Sequence, residues 1–452
     1  MFQFLDSTLR RFRLKLIVGG AIFALSYSIF LTSHVHQMAD SKYSILLSES
    51  LLLYGTFTLD NFTFLPTDSA RDNKSLLSGN YQLESIDSHI YYVYPPGSSV
   101  LSLPYVALMN IFGISAARPD GTYDAQGEER IQASLAALLM ALFTFTIFYT
   151  SRLLLPVGWS ALVAISTAFG TQVWSTASRA LWSHTWGVFL LGIVVWMLLS
   201  QETGRGRLRP VLLATLLSWA FFVRPTNSLP VAAISCFIFI FYRPLVIRYL
   251  VTGVVWLIGF VAYSWFHFGK VLPSYYVTSQ LSFDSFWVAM AGILVSPSRG
   301  LLIFVPITLF VAYLLARYRR ELPSPRLVAL AVAIVAAHLI VVSGFSTWWG
   351  GHCYGPRLMT ELVPWFALLS MIGIKARLAW WKEHRPGTPP FHMKVEMVAG
   401  GILLASSIII NGLGATAQRT WWWNVKPANV DEHPERVWDW YYPQFLARQD
   451  RS

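Results

Sequence analysis

Hydrophobic positions in this chain fall into long runs separated by short polar stretches. Eleven runs, at 14–33, 130–150, 157–172, 184–200, 210–223, 227–242, 249–267, 300–316, 327–343, 359–374 and 395–413, predict helices. A helix needs about 20 apolar residues to cross the hydrocarbon of a bilayer; several runs fall short of that length, and the pattern predicts about 11 transmembrane helices. The pair over 210–242 is interrupted by Arg224, Pro225 and Asn227. It reads as two short helices meeting outside or as a broken re-entrant pair. Two shorter elements stand apart. Residues 41–54 place Tyr43, Leu46, Leu47, Leu51 and Tyr54 at helical spacing, with Ser41, Ser44 and Ser48 on another face and Gly55 as a stop. That pattern predicts an interfacial helix lying on the membrane. Residues 98–113, after Tyr94-Pro-Pro-Gly97, read as a juxtamembrane helix; if they spanned, all downstream topology would invert.

Composition makes the same point. Of 452 residues, 55% are hydrophobic and 13% charged, against about 25% charged in ordinary soluble proteins. A soluble fold could not hide so much apolar surface. A soluble enzyme, a disordered chain and a disulfide-stapled module are excluded, and an all-α polytopic membrane protein remains. The two cysteines, Cys236 in an apolar run and Cys353 in a loop, predict no disulfide. The first run leads into polar chain without a cleavage site, so it reads as a retained span.

The net charge of +11 would suit nucleic acid, but its distribution points elsewhere. With the N-terminus inside and alternating spans, 19 of the 34 Lys and Arg residues fall in short inside segments. That is the positive-inside pattern, and it predicts an inside N-terminus, an outside C-terminus and no nucleic-acid partner. The first outside loop, 34–129, holds eleven of the 23 acidic residues. Loops of that length are usually functional or disordered. The chain divides into a membrane domain, 1–413, and an outside tail, 414–452. The tail carries Trp421, Trp422, Trp423, Trp438, Trp440, Tyr441 and Tyr442, residues suited to the headgroup layer.

Candidate chemistry gathers outside. Asp40 sits just past the first span, with Lys42 and Tyr43 beyond it. A carboxylate there can take a proton from an acceptor hydroxyl; the plainer reading is a solvated loop acid. Asp87, His89 and Tyr94 lie in the aromatic segment 87–97, suited to a sugar face or to a simple turn. Arg179 and His184 share Ser178–His184. Arg299 stands in Ser296-Pro-Ser-Arg-Gly300. Arg357 closes Trp348-Trp349-Gly-Gly-His352-Cys-Tyr354-Gly-Pro-Arg357. Arginine at a membrane edge is costly unless it snorkels or meets an anion, and its fork fits phosphate. The expected phosphate contacts are Arg299, Arg357, Lys42 and Arg179. The expected sugar or acceptor contacts are Asp87, His89, Tyr94, His184, Trp348, Trp349, His352 and Tyr354. Arg224 is a weaker case of the same kind, and Glu361 reads as a local ion-pair partner. His34 and His36 flank Asp40 without a third ligand at diagnostic spacing, so a divalent metal has little support and no cofactor follows. Phosphate-loop and nucleophile-elbow motifs are absent. Asn61-Phe-Thr63 and Asn73-Lys-Ser75 match glycosylation sequons, which are common by chance.

The order of these motifs resembles the type C glycosyltransferases, the GT-C superfamily, and among them bacterial relatives of protein O-mannosyltransferases and of the lipid A aminoarabinose transferase. The likeness rests on Asp40-Ser-Lys-Tyr43, Leu53-Tyr-Gly55, Tyr94-Pro-Pro-Gly97 with Leu103-Pro104, Arg130, Ser296–Gly300, Trp348–Gly351 and Gly355-Pro-Arg357. It implies a polyprenyl-phosphate-sugar donor, an acceptor on protein, lipid or glycan, inverting transfer, and Asp40 as the activating acid. It also implies the bacterial inner membrane. Where many relatives carry paired acids, this chain has Asp40-Ser41. The absence of a soluble C-terminal domain points away from large multidomain oligosaccharyltransferases. A lipid-linked polysaccharide polymerase or ligase, a non-catalytic assembly subunit and a lipid transporter are the competing readings. A transporter would carry charges at mid-span and repeated halves, and neither is evident.

Overall fold

The computed structural model describes residues 2–64, 80–277, 281–384 and 391–448. Its long elements follow the apolar runs. Helix α1 covers Phe2–Thr32. Two short helices, α2 (Ser44–Leu53) and α3 (Gly97–Ile111), flank a hairpin of β1 (Leu83–Ile86) and β2 (His89–Tyr92). Then come α4 (Ala125–Ser151), α5 (Val157–Phe169), α6 (Ser183–Glu202), α7 (Pro210–Val223), α8 (Ser228–Phe241) and α9 (Val246–Phe268). The later part holds α10 (Phe286–Val295), α11 (Leu301–Phe304), α12 (Ile307–Arg317), α13 (Pro325–Ser343), α14 (Val363–His384), α15 (Phe391–Thr416) and α16 (Gln418–Trp422). Among the described residues, seven helical segments are long and apolar enough to cross a membrane. All eleven predicted runs are helical; α10 and the hairpin were not read from the sequence.

The predicted helix 300–316 is broken into α11 and α12. Pro306 lacks an N–H and cannot continue the ladder. Inside a bilayer the freed groups need protein partners, and α15 supplies them. Asn411 Nδ2 donates to the Phe304 carbonyl at 2.9 Å, and Ile307 N donates to Ser407 Oγ at 3.1 Å. The pair at 210–242 resolves as α7 and α8, joined by Arg224 in an extended conformation and a 3-10 turn at Pro225–Asn227.

Helix α2 departs from expectation. Ser44–Ser50 are all buried, Glu49 included, and only Leu52–Tyr54 at its end are exposed. It is a buried helix packed on α3 and α4 rather than a one-faced surface helix. Glu49 is satisfied by Asn110 Nδ2 at 2.7 Å, Ser115 Oγ at 2.8 Å and Ala116 N at 3.2 Å. Gly97 starts α3 against the end of α7. A Cβ there would lie 2.6 Å from the Phe222 carbonyl, so only glycine fits.

The tail is mixed in a way the aromatic count did not foresee. Trp440, Tyr441 and Trp422 are exposed, but Trp423 is buried and donates to the Tyr442 carbonyl at 2.9 Å. Gln444 is fully buried. Its amide donates to the Cys353 and Thr420 carbonyls and its Oε1 accepts from Arg299 and Gly355 N. The tail is therefore pinned to the bundle. Both cysteines are free. Asn61 lies in a turn between the Thr58–Tyr91 and Thr63–Thr122 bridges, and Asn73–Ser75 lie outside the described residues.

Candidate functional site

Asp40 is placed by a chain of backbone ties. Arg179 Nη1 donates to the Ser33 carbonyl at 2.8 Å and its Nη2 reaches the Phe30 carbonyl, satisfying carbonyls that the end of α1 leaves open. Gln37 N donates back to the Arg179 carbonyl, and Val35 N to the Ala415 carbonyl. Beyond Asp40, Tyr43 adopts a left-handed backbone (φ 73°), an uncommon state for a tyrosine. Glu128, buried in the first turn of α4, secures it. Its carboxylate accepts Tyr43 N and Ile45 N at 2.9 Å each, Tyr123 OH at 2.7 Å and Gln132 Nε2 at 3.0 Å. Asp40 thus sits on a turn held from both sides.

The opposite wall is the 348–357 loop. Gly350 and Gly351 both take positive φ, 78° and 66°, a turn that side chains disfavour. The chain folds back and aims Arg357 at Asp40. Arg357 Nη1 meets Asp40 Oδ2 at 2.6 Å across 317 residues of sequence, while Nη2 donates to the Gly350 carbonyl at 2.8 Å. The guanidinium lies over the Trp182 ring, 4.3 Å from its centre. Tyr81 OH donates to Asp40 Oδ1 at 3.2 Å and Tyr92 OH to the Asp40 carbonyl at 2.6 Å. Burial alone would favour the neutral Asp40 carboxyl. The charge and hydrogen bond of Arg357, with the hydroxyls of Tyr94 and Tyr81, outweigh it and hold Asp40 below the usual carboxylate value. Burial and then the Asp40 charge push Tyr81 and Tyr94 upward, so both remain donors.

Asp40 and Arg357 line a cavity of about 680 Å³ with Tyr81, Tyr94, Arg224, Tyr275, Trp349, His352, Trp421 and Asp431. Of the residues singled out in the sequence, this cavity gathers Asp40, Arg357, Tyr94, Trp349, His352, Arg224 and Trp421. Trp349 Nε1 donates to Asp431 at 3.0 Å, and His352 Nε2 is 2.8 Å from Asn429 Oδ1.

The others are placed elsewhere. Arg299 is 2% exposed, and its guanidinium donates to the carbonyls of Ser298, Trp349 and Gly351, to Gln444 Oε1 and to Asn424 Oδ1. Its donors are occupied by protein, as are those of Arg179. Lys42 Nζ turns to Asn80 Oδ1 at 3.2 Å. Asp87 (φ 49°) and Ser88 (φ 68°) form the hairpin turn, and His89 pairs with Asp60 at 2.7 Å. Trp348 packs against Gly292, and Tyr354 against Gly414 with its hydroxyl on the Ile410 carbonyl. His184 is buried at the start of α6, its Nδ1 2.7 Å from Glu361 Oε1.

That last contact belongs to a group the sequence did not bring together. Glu361 is buried against Arg224, His184 and, at 4.0 Å, His338. Its ion-pair partner is therefore distant Arg224, not a neighbour in the chain. Arg224 also donates to Ser183 Oγ at 2.9 Å and reaches the cavity wall. The cue was the Arg-Pro-Thr-Asn interruption of an apolar pair, because a charge between two spans needs a partner. Tyr81, Tyr275 and Asp431 had no cue beyond their aromatic or acidic character. Among the described residues, no group of three or more His, Cys, Asp or Glu could hold a metal ion.

No family model and no curated protein sequence matches the chain. Solved structures do match. The oligosaccharyltransferase of Archaeoglobus fulgidus, tethered with an acceptor peptide containing the NVT sequon, matches over 96% of this chain and 60% of its own, with TM-score 0.51 and 12% identity. The chain shares that protein's fold over most of its length. ArnT from Cupriavidus metallidurans, bound to undecaprenyl phosphate, has TM-score 0.48 and 12% identity over 89% of this chain and 70% of that one. At these identities the likeness is one of fold. The chain spans about 60% of the length of the archaeal protein.

Proposed function

We propose that this protein transfers a sugar from a polyprenyl-phosphate-linked donor to an acceptor hydroxyl, with inversion, and that Asp40 is the general base. The observation that carries the reading is the Asp40–Arg357 ion pair at the wall of a polar, aromatic cavity. The fold shared with the archaeal oligosaccharyltransferase supports the reaction class, and the charge asymmetry of the loops supports an extracytoplasmic site in a plasma membrane, bacterial by resemblance alone.

In this scheme Arg357 and Arg224 hold the donor phosphate. Arg299, Arg179 and Lys42 shape the surrounding loops. Tyr94, Trp349 and His352 face the sugar or acceptor. An arriving phosphate draws on Arg357 and adds negative charge beside Asp40. Both effects raise the proton affinity of the carboxylate, so the donor itself prepares the base. The acceptor oxygen attacks the anomeric carbon from the face opposite the phosphate. Its proton passes to Asp40, the bond to the phosphate breaks, and the electron pair leaves with polyprenyl phosphate. Cationic groups stabilise that leaving charge.

The test uses purified protein, a panel of polyprenyl-phosphate sugars and cell-envelope acceptor, with Asp40→Asn alongside. Transfer from one donor, lost in the variant while donor binding is kept, is the expected result. Undiminished transfer by the variant would overturn Asp40 as base, and failure of the wild type to bind or consume any donor would overturn the reaction class.

A further inference from the structure

A second cavity shares no lining residue with the one at Asp40. It measures about 210 Å³ and runs between α5, α12, α14 and α15. Its walls are apolar, including Trp159, Phe310, Phe366 and Leu404, and exposed Leu162 and Met397 lie at its edge. The groove has free space beside Gly401 of α15, where an added Cβ would meet nothing within 4 Å. Among the described residues that line it, Arg377 is the one charged group.

Arg377 has a guanidinium with unused capacity. Its side chain is only 9% exposed. Its Nε donates to Glu396 Oε2 at 3.2 Å, and among the described residues Nη1 and Nη2 have no hydrogen-bond partner. Glu396 is otherwise engaged by Tyr313 OH at 2.7 Å and Tyr318 OH at 3.0 Å. A guanidinium carries five N–H donors, and the Nη donors of Arg377 stay open to an anion at the groove.

Depth decides what the site could hold. Arg377 follows Arg357 by twenty residues, about 30 Å along a helix and thus about the thickness of bilayer hydrocarbon. Lys375, Lys382, Arg317, Arg319 and Arg320 lie at the same end of the bundle, against Glu321 and Glu383. We infer that this groove binds an anionic phospholipid from the leaflet opposite Asp40, one acyl chain along α15 and the headgroup phosphate on the Arg377 fork. A donor with its phosphate beside Arg357 would present that group in the other leaflet, so the site does not depend on the transfer reaction.

The experiment embeds the full chain in nanodiscs of phosphatidylcholine containing phosphatidylglycerol and counts retained lipid by native mass spectrometry. Wild type should retain phosphatidylglycerol in preference to phosphatidylcholine. Arg377→Gln should lower that occupancy about tenfold, the loss of one charge-assisted contact. Gly401→Phe, which fills the groove and leaves the ion pair intact, should abolish it, and Asp40→Asn should leave it unchanged. Equal retention of both lipids by wild type, or undiminished retention in folded Gly401→Phe, would overturn the inference. So would displacement of phosphatidylglycerol by added polyprenyl phosphate, which would give the groove to the donor tail.

Discussion

Arg299 and Arg357 look alike in the sequence and differ in the fold. Each follows a small-residue turn and precedes a helix, and each was a candidate for phosphate. Arg299 ended among five protein acceptors, with Gln444 of the tail closing around it. Arg357 kept one side on Asp40 and the cavity. The first arginine ties loops together and the second faces whatever enters. An arginine's neighbours, rather than its flanking glycines, decide whether the protein closes around it or leaves it at a cavity wall.

Substitution at Asp40 separates the two arginines most sharply. Asp40→Asn should reduce transfer by about 10²- to 10⁴-fold, the usual worth of a general base, with a small but measurable fall in melting temperature, because the charge of Arg357 loses its partner but still faces an open cavity. A variant with wild-type rate would reduce the pair to structure. Next in size, Arg299→Met should cost about 3 kcal/mol of stability, read from thermal unfolding in detergent, while the folded fraction binds donor normally. Loss of donor binding without loss of stability would reverse the two roles. Smaller again, Arg224→Lys keeps a positive charge for Glu361 but loses the fork. The KM for donor should rise about tenfold with kcat less affected, and an unchanged KM would remove Arg224 from the phosphate site.

The smallest effect concerns pH. Burial works against ionised Asp40, but Arg357 reverses it, so the folded carboxyl titrates below its usual 3.8. A lowered folded value stabilises above the unfolded value, and that contribution fades as pH falls through the folded one. Melting temperatures of wild type and Asp40→Asn should therefore differ by a constant amount at neutral pH and converge below about pH 4. Parallel curves down to about pH 3 would show that Arg357 does not hold the charge of Asp40.

Legibility followed the range of each interaction. The eleven apolar runs were readable because bilayer burial acts on every residue of a span. The break at Pro306 went unread, since an apolar stretch hides a missing N–H until α15 is seen to satisfy it. Helix α10 has ten residues, too few to register as a span. The hairpin escaped because its turn, Asp87-Ser88, lacks the glycine that marks such turns. Within the site, Asp40 was legible from its place after the first span, whereas its partner lay 317 residues away. Glu128 gave no sign that it would cap the turn before α2, because its role depends on two backbone amides it meets only when α4 packs.

By itself, then, the sequence determined a helical membrane protein, the uneven distribution of its cations and the segments in which polar chemistry gathers. Those follow from transfer of side chains between water and hydrocarbon, a property each residue carries alone. Tertiary structure alone decided that Arg357 faces Asp40, that Arg299 faces the tail, that Glu361 anchors Arg224, and that Arg377 stands beside an apolar groove. Those outcomes depend on pairs of groups far apart in the chain, and a charge taken out of water settles on whichever partner the packing brings within hydrogen-bond reach.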